Sequence, residues 1–245
     1  MSGLMTHTKK FQQVSVDALH ACPVPESTNT FEPINHGWLY EEVRKACNTR
    51  GYVIAAEDLR VTDNGDEFFG ILRLRQTVNP SNDWDLSLGI RNTNNKRASA
   101  GIFLGNNVWL CDNLQFSAEH TFLRKHHAGS YDVVREGVCD ITRRLDGYRQ
   151  EQEQFIRNLQ TWVLTPELRD HLIVDCLRNG GILGGEVIKV IGEVESPSEG
   201  NPEANGETAW GLMNAITWVQ KGGYDRNPET QAQRSIQLQK VFCPA

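Results

Sequence analysis

The 245-residue sequence has no long hydrophobic run and no closely paired cysteines. No apolar window reaches the length of a membrane-spanning helix, and the first residues lack the apolar core of a signal peptide. Six cysteines without a CxxC pair argue against a zinc ribbon or a thioredoxin-type site; they are Cys22, Cys47, Cys111, Cys139, Cys176 and Cys243. A chain of this size needs no disulfides. We therefore expect a cytoplasmic protein with reduced, buried cysteines.

Motifs for metal, nucleotide or covalent chemistry are also scarce. No HxxxH or HxH spacing occurs, and the adjacent His126 and His127 point to opposite faces of a strand, so they cannot clamp one ion. Cys111 would need a nearby base such as His120 to act as a nucleophile, and a buried structural cysteine is the simpler interpretation. Residues 180–185 are glycine-rich but lack the lysine and Ser/Thr of a P-loop, so we expect a loop between helices. We expect no cofactor, and the balance leans away from an enzyme.

Alternating apolar and polar residues mark the first half of the chain as strands. The predicted strands span residues 11–16, 52–61, 67–78, 85–91, 98–104, 108–111 and 114–127. Asn64-Gly65 favours a tight turn between the second and third of these, and Gly105-Asn106-Asn107 predicts a further reversal.

Helical spacing dominates the second half. The predicted helices span residues 36–49, 131–164, 166–178, 208–221 and 228–242, while residues 182–194 fit a helix or a strand. Residues 131–164 repeat apolar side chains in alternating steps of four and three, a heptad pattern that predicts helix–helix contact and self-association through this helix. Residues 193–207 are acidic, without lysine or arginine, and are predicted to form a flexible loop.

The order of these elements is typical of an α+β fold. We expect an antiparallel, hairpin-rich sheet with one N-terminal helix, followed by a long heptad-patterned helix and a helical C-terminal part. Residues 1–30 are predicted to be a flexible N-terminal segment. Residues 31–245 are predicted to be a single α+β domain, sheet-rich over 31–130 and helical over 131–245.

Cations concentrate in the region of the predicted strands and the turn between residues 91 and 98, although the net charge of the chain is -6. They are Arg73, Arg75, Arg91, Lys96, Arg97, Arg124 and Lys125. The alternation places the first three on the solvent-exposed face of their strands, where Phe69, Phe103 and Trp109 offer stacking surfaces. Cations and aromatics on an open sheet face are what single-stranded nucleic acid binding needs. An ordinary solvated face with salt bridges is the alternative interpretation.

Residues 90–116, IRNTNNKRASAGIFLGNNVWLCDNLQF, resemble a family of phage- and plasmid-borne proteins whose shared domain is catalogued as of unknown function. The matching residues are Arg91, Asn92, Lys96, Cys111, Asp112, Asn113 and Leu114. Residues 208–217, TAWGLMNAIT, are similar to the closing helix of that family. This chain has Thr93 and Asn95 where the family has serine and aspartate. The resemblance implies a mobile-element setting in a host-cell cytoplasm and no established activity, and the fold outline is similar to that of single-strand annealing proteins.

Three hypotheses about function follow. The first is a non-enzymatic protein of a mobile element that binds single-stranded DNA or RNA through a basic sheet face, in an annealing-like manner. The second is an interaction protein that binds and inhibits a host defence or replication factor, through residues 193–207 or the heptad helix. The third is a metal-dependent enzyme that uses His120 and His126.

Overall fold

The fold is described from a computed structural model, over residues 11–78, 84–108, 113–221 and 228–243. In these ranges the first half contains the sheet and three helices, in the order β1 Phe11–Gln13, α1 Val16–Ala21, α2 His36–Thr49, β2 Tyr52–Thr62, β3 Glu67–Gln76, β4 Trp84–Thr93, β5 Ala100–Val108, β6 Asn113–Arg124 and α3 Ser130–Arg143. The helices that follow are α4 Leu145–Thr161, α5 Pro166–Arg178, α6 Gly184–Glu195, α7 Ala209–Lys221 and α8 Pro228–Phe242. The predicted α+β class is therefore confirmed.

The six described strands form one sheet in the order of the chain, β1 to β6, and the registered pairs are antiparallel. The hairpin β2–β3 turns at Gly65, whose φ of +70° is a conformation that glycine adopts without steric cost. The predicted reversal at Gly105-Asn106-Asn107 is wrong, because β5 continues through these residues to Val108. Pairing with neighbouring strands outweighs the local turn preference of glycine and asparagine there.

The chain forms two compact units, each with its own core. The first takes described residues of Met1–Asn106 and Ala118–Asp146, and the second takes those of Asn107–Ser117 and Gly147–Ala245. The core of the first unit contains buried side chains from β2, β3 and β4 and from α2 and α3: Leu59, Phe68, Leu72, Leu74, Leu86, Leu88, Ile90, Leu39, Val43, Val134 and Val138. In the second unit, buried residues of α5, α6, α7 and α8 form the core, including Ile173, Val190, Leu212, Ile216 and Leu238.

The predicted helix over residues 131–164 is divided into two helices, α3 and α4, with Arg144 between them. The Arg144 amide donates to the Ile141 carbonyl at 3.1 Å, a tighter three-residue turn, and the Thr142 hydroxyl donates to the Val138 carbonyl at 2.9 Å. Most of the heptad seam, from Val134 to Leu159, is buried within this one chain. Self-association through the seam therefore stays a prediction that the fold does not require.

Local signals at helix ends are confirmed where they are strongest. Asn35 caps α2 by accepting from the Trp38 amide at 3.0 Å, and Thr165 caps α5 just before Pro166. Residues 182–194, which the sequence leaves ambiguous, contain most of α6. Residues 180–183 form the predicted connection between α5 and α6.

The predicted flexibility of residues 1–30 and of residues 193–207 stays a prediction. Within the segment 1–30, residues 11–13 form β1 and residues 16–21 form α1, while residues 1–10 lie outside the described residues. Within 193–207, the first three residues belong to α6. There the buried Glu193 carboxylate accepts from the Ser198 amide at 3.0 Å and from the Asn201 side-chain amide at 3.0 Å.

Candidate functional site

The strand register assigns each side chain of the sheet to one of two faces. Directly opposite residues share a face, so the pairs Phe68–Asn92, Leu72–Leu88 and Leu74–Leu86 define a buried inner face. Helices of the same unit cover it: α2 meets it where the Tyr40 hydroxyl donates to Glu57 at 2.6 Å, and α3 meets it where Gly137 faces the Phe122 ring.

The opposite side, which we call the arginine face, comprises Arg60, Phe69, Arg73, Arg75, Arg91 and Phe103. Arg60 pairs with Phe69, which pairs with Arg91, while Arg73 lies between Ala56 and Ser87 and Arg75 lies opposite Val53. The structure thus brings Arg73, Arg75 and Arg91 to one face, as the alternation predicts.

Cations and aromatics alternate in one row across four strands. The row runs from Arg60 on β2 to Phe69 on β3, Arg91 on β4 and Phe103 on β5, with the Arg91 guanidinium 5.5 Å from the centroid of the Phe103 ring. The Arg91 Nε also donates to the Ser99 carbonyl at 3.4 Å. Phe69, Arg91 and Phe103 are each half-buried. A stacked guanidinium is held in place over its ring.

The arginine face is less open than a solvated sheet face. Arg60 is buried and donates from Nε to Asp58 at 2.9 Å and from Nη2 to the other oxygen at 3.2 Å, so its charge is neutralised. Ile71 and Ser87, at the centre of the face, are also buried. Arg73 and Arg75 are half-buried.

The other predicted cations are dispersed. Arg97 is 73% exposed and lies 3.5 Å from Glu67, at the end of the arginine face. Lys96 has a left-handed φ of +65° and holds its ammonium 4.8 Å from the centroid of Phe31, a buried ring. Arg124 is two residues after Phe122 and shares the inner side with it, and Lys125 follows the end of β6. Arg124 therefore does not extend the arginine face.

The polar residues that follow Arg91 form hydrogen bonds that stabilise one end of the sheet. The Asn92 amide donates to the Ile34 carbonyl at 2.7 Å, and Asn94 both accepts from the Ile34 amide at 3.2 Å and donates to its carbonyl at 3.1 Å. The Thr93 hydroxyl donates to the Ala98 carbonyl at 2.6 Å. Asn92, one of the matched motif residues, therefore has a structural role here. Cys111 and Asp112 lie outside the described residues, as does Trp109, and Asn113 is the first residue of β6.

His36 was not among the predicted site residues, yet its ring hydrogen bonds connect α2 to the β2–β3 turn and to β4. Its Nε2 lies 2.9 Å from the Gly65 carbonyl and its Nδ1 lies 2.8 Å from the Asn92 amide nitrogen, so the ring donates from Nε2 and accepts at Nδ1. Burial lowers the pKa of His36 to about 4, against a small opposing effect of the Gly65 hydrogen bond. The sequence signal is its spacing: His36 lies three and seven residues before Leu39 and Val43, on the apolar side of α2.

The remaining histidines do not gather into a metal site. His126 is buried with its ring centroid 5.5 Å from that of Phe31, and burial lowers its pKa, while His120 is half-buried on β6. Over the described ranges, no group of three or more His, Cys, Asp or Glu side chains has the geometry to hold a metal ion. The metal-dependent enzyme stays a hypothesis without a described ligand cluster.

Comparisons with known proteins do not assign this chain to a family. No family model, no curated protein and no solved structure matches the chain. The resemblance to phage- and plasmid-borne proteins therefore stays a prediction. None of the helices described is both long and apolar enough to cross a membrane.

Proposed function

We propose that this protein binds single-stranded nucleic acid on the arginine face and that binding, without catalysis, is its function. The observation that carries the proposal is the row of Phe69, Arg91 and Phe103 on one face, with Arg73 and Arg75 beside it. Aromatic rings on a sheet face stack unpaired bases, and guanidinium groups contact phosphates. Bases inside a duplex are already stacked, so duplexes would be weaker ligands.

The net charge of -6 limits the electrostatic contribution to this local array. Three phosphate contacts on a single strand give a slope of about -2 in log affinity against log salt. Affinity would then fall roughly 20-fold between 50 and 200 mM salt. A mobile-element setting and an annealing-like role are further proposals, which rest on the family resemblance and on the fold outline.

The test is fluorescence anisotropy with a labelled single strand of about 20 nucleotides and the matching duplex. The double variant Arg73→Gln/Arg75→Gln should bind the single strand at least tenfold more weakly, with a shallower salt slope. Arg143→Gln/Arg178→Gln is the matched control, because it makes the same charge change at exposed residues of α3 and α5. Absence of binding by the wild-type protein at 50 mM salt, or equal effects of the two variants, contradicts the proposal.

A further inference from the structure

The helix α6 has one side that packs in the second unit and one side that presents both aliphatic residues and the exposed Lys189. One side packs inside the second unit, where Glu186, Val190, Glu193 and Val194 are buried. The pair formed by Glu186 and Arg234 fastens this side to α8. The inward side of α6 is therefore covered by other residues of the second unit.

The outward side is left exposed. Ile188 is 81% exposed and Ile191 is 38% exposed. Gly184 and Gly192 lie one turn before and after Ile188, and a Cβ added to either would meet no atom within 4 Å. Isolated exposed aliphatic side chains are common, but Ile188 and Ile191 are three residues apart on one helix and therefore adjoin, and such a pair bordered by glycines offers an apolar contact surface. We call Gly184, Ile188, Ile191, Gly192 and Glu195 the α6 stripe.

The stripe ends in negative charge. Glu195 is exposed at the last position of α6, where the carbonyl end of the helix adds partial negative charge. Residues 193–207 contain five glutamates and no lysine or arginine. Because Glu193 holds Ser198 through its amide at 3.0 Å and its hydroxyl at 2.7 Å, the exposed Glu199 stays close to the last turn of the helix.

We propose that the α6 stripe docks a basic amphipathic helix of a partner protein. The apolar side of that helix covers Ile188 and Ile191, the glycines allow its backbone to approach closely, and its lysines or arginines lie over Glu195 and Glu199. A second copy of this chain fits less well, because it brings another net charge of -6 and the same glutamates. This surface is separate from the arginine face and does not depend on nucleic acid binding.

The test uses synthetic peptides of roughly 18 residues and isothermal titration calorimetry on the full chain. The probe has leucines at helical spacing and lysines elsewhere, a pattern that forms a basic amphipathic helix. One control peptide has the same composition with the leucines spread around the helix, and a second has glutamate in place of lysine. We expect the probe to bind at least tenfold more tightly than the spread peptide, and the glutamate peptide not to bind.

Substitutions separate the apolar and the charged contributions. Ile188→Asp should weaken probe binding at least tenfold, and because Ile188 is 81% exposed the fold should be unaffected. Val78→Asp, at an aliphatic residue that is 69% exposed in the other unit, is the matched control and should bind normally. Glu195→Gln/Glu199→Gln should weaken binding several-fold at low salt and flatten its salt dependence.

Three outcomes would overturn the proposal. They are no binding of the probe, binding that Ile188→Asp leaves unchanged, and a wild-type dimer in light scattering that Ile188→Asp dissociates, which would make a second copy the occupant. Arg73→Gln/Arg75→Gln should bind the probe normally, so failure of the nucleic acid proposal would leave this one intact.

Discussion

Acid should destabilise the first unit through His36, a side chain with no solvent exposure. In the folded protein its Nδ1 accepts a hydrogen bond from Asn92, and protonation would set an N–H against an N–H. Burial already lowers the pKa of His36 to about 4 from an ordinary value of 6.5. Since the folded pKa is lower than the unfolded one, the unfolded chain takes up the proton first. The stabilising effect is complete above pH 6.5 and is lost as the pH falls from there towards 4.

The size of the effect follows from this pKa difference of about 2.5, at about 1.4 kcal/mol per pKa unit. The full contribution is about 3 kcal/mol, reached below pH 4. Between pH 7 and pH 5 the unfolded imidazole becomes mostly protonated and the folded one does not, so about 2 kcal/mol is lost. This is a large fraction of the stability of an ordinary domain.

The assay is urea unfolding at pH 7 and pH 5 of the wild-type protein and of His36→Gln. His36→Gln should lose about 2 kcal/mol less than the wild type over this interval, because other titrating groups cancel in the comparison. In the wild type, the imidazole resonances of His36 should not shift between pH 7 and pH 5. Equal losses in wild type and His36→Gln, or a His36 resonance that titrates near 6.5, would refute the reasoning.

Two further predictions concern the packing of two glycines and a buried ion pair. Gly137→Ala should destabilise the protein by roughly 1–2 kcal/mol despite better helix propensity, because the new Cβ would come within 2.3 Å of the Phe122 ring. Gly147→Ala, where a Cβ meets no atom within 4 Å, should instead stabilise it by about 0.5–1 kcal/mol; thermal unfolding measures both, and the same sign for both would contradict the packing described. Arg234→Met should cost about 3–5 kcal/mol, because it leaves the buried Glu186 carboxylate without its cation. Adding Glu186→Met should recover most of that loss in urea unfolding, and an additive double variant would contradict the coupling.

Elements with local signals could be predicted, and those set by the tertiary structure could not. Asn64-Gly65 specifies its turn through backbone conformation alone, and Thr165-Pro166 specifies the start of α5 through capping. Gly105-Asn106-Asn107 has equally good turn residues, but strand pairing keeps it extended within β5. The break between α3 and α4 at Arg144 depends on the hydrogen bond from its amide to the Ile141 carbonyl. The heptad pattern of side chains carries no information on this backbone hydrogen bond.

The candidate site shows the same division. Alternation along a strand is a backbone property, so the common face of Arg73, Arg75 and Arg91 could be predicted from the sequence. The neutralisation of Arg60 by Asp58 could have been inferred, since residues two apart on a strand share a face. The direction of the Lys96 side chain could not be predicted from the sequence. It depends on the left-handed backbone conformation of Lys96 and on the ring of Phe31, which is distant in the sequence.

The net charge of -6 does not by itself decide between the proposed ligands. At physiological ionic strength the Debye length is about 8 Å, so a phosphate beside Arg91 responds to charges in its own neighbourhood and hardly to distant carboxylates. At about 0.01 M salt the Debye length grows to roughly 30 Å, and the net negative charge then opposes a polyanion. Affinity for a single strand should therefore rise as salt is lowered and level off at the lowest concentrations. A straight line down to that limit would mean that more cations contact the strand than the arginine face provides.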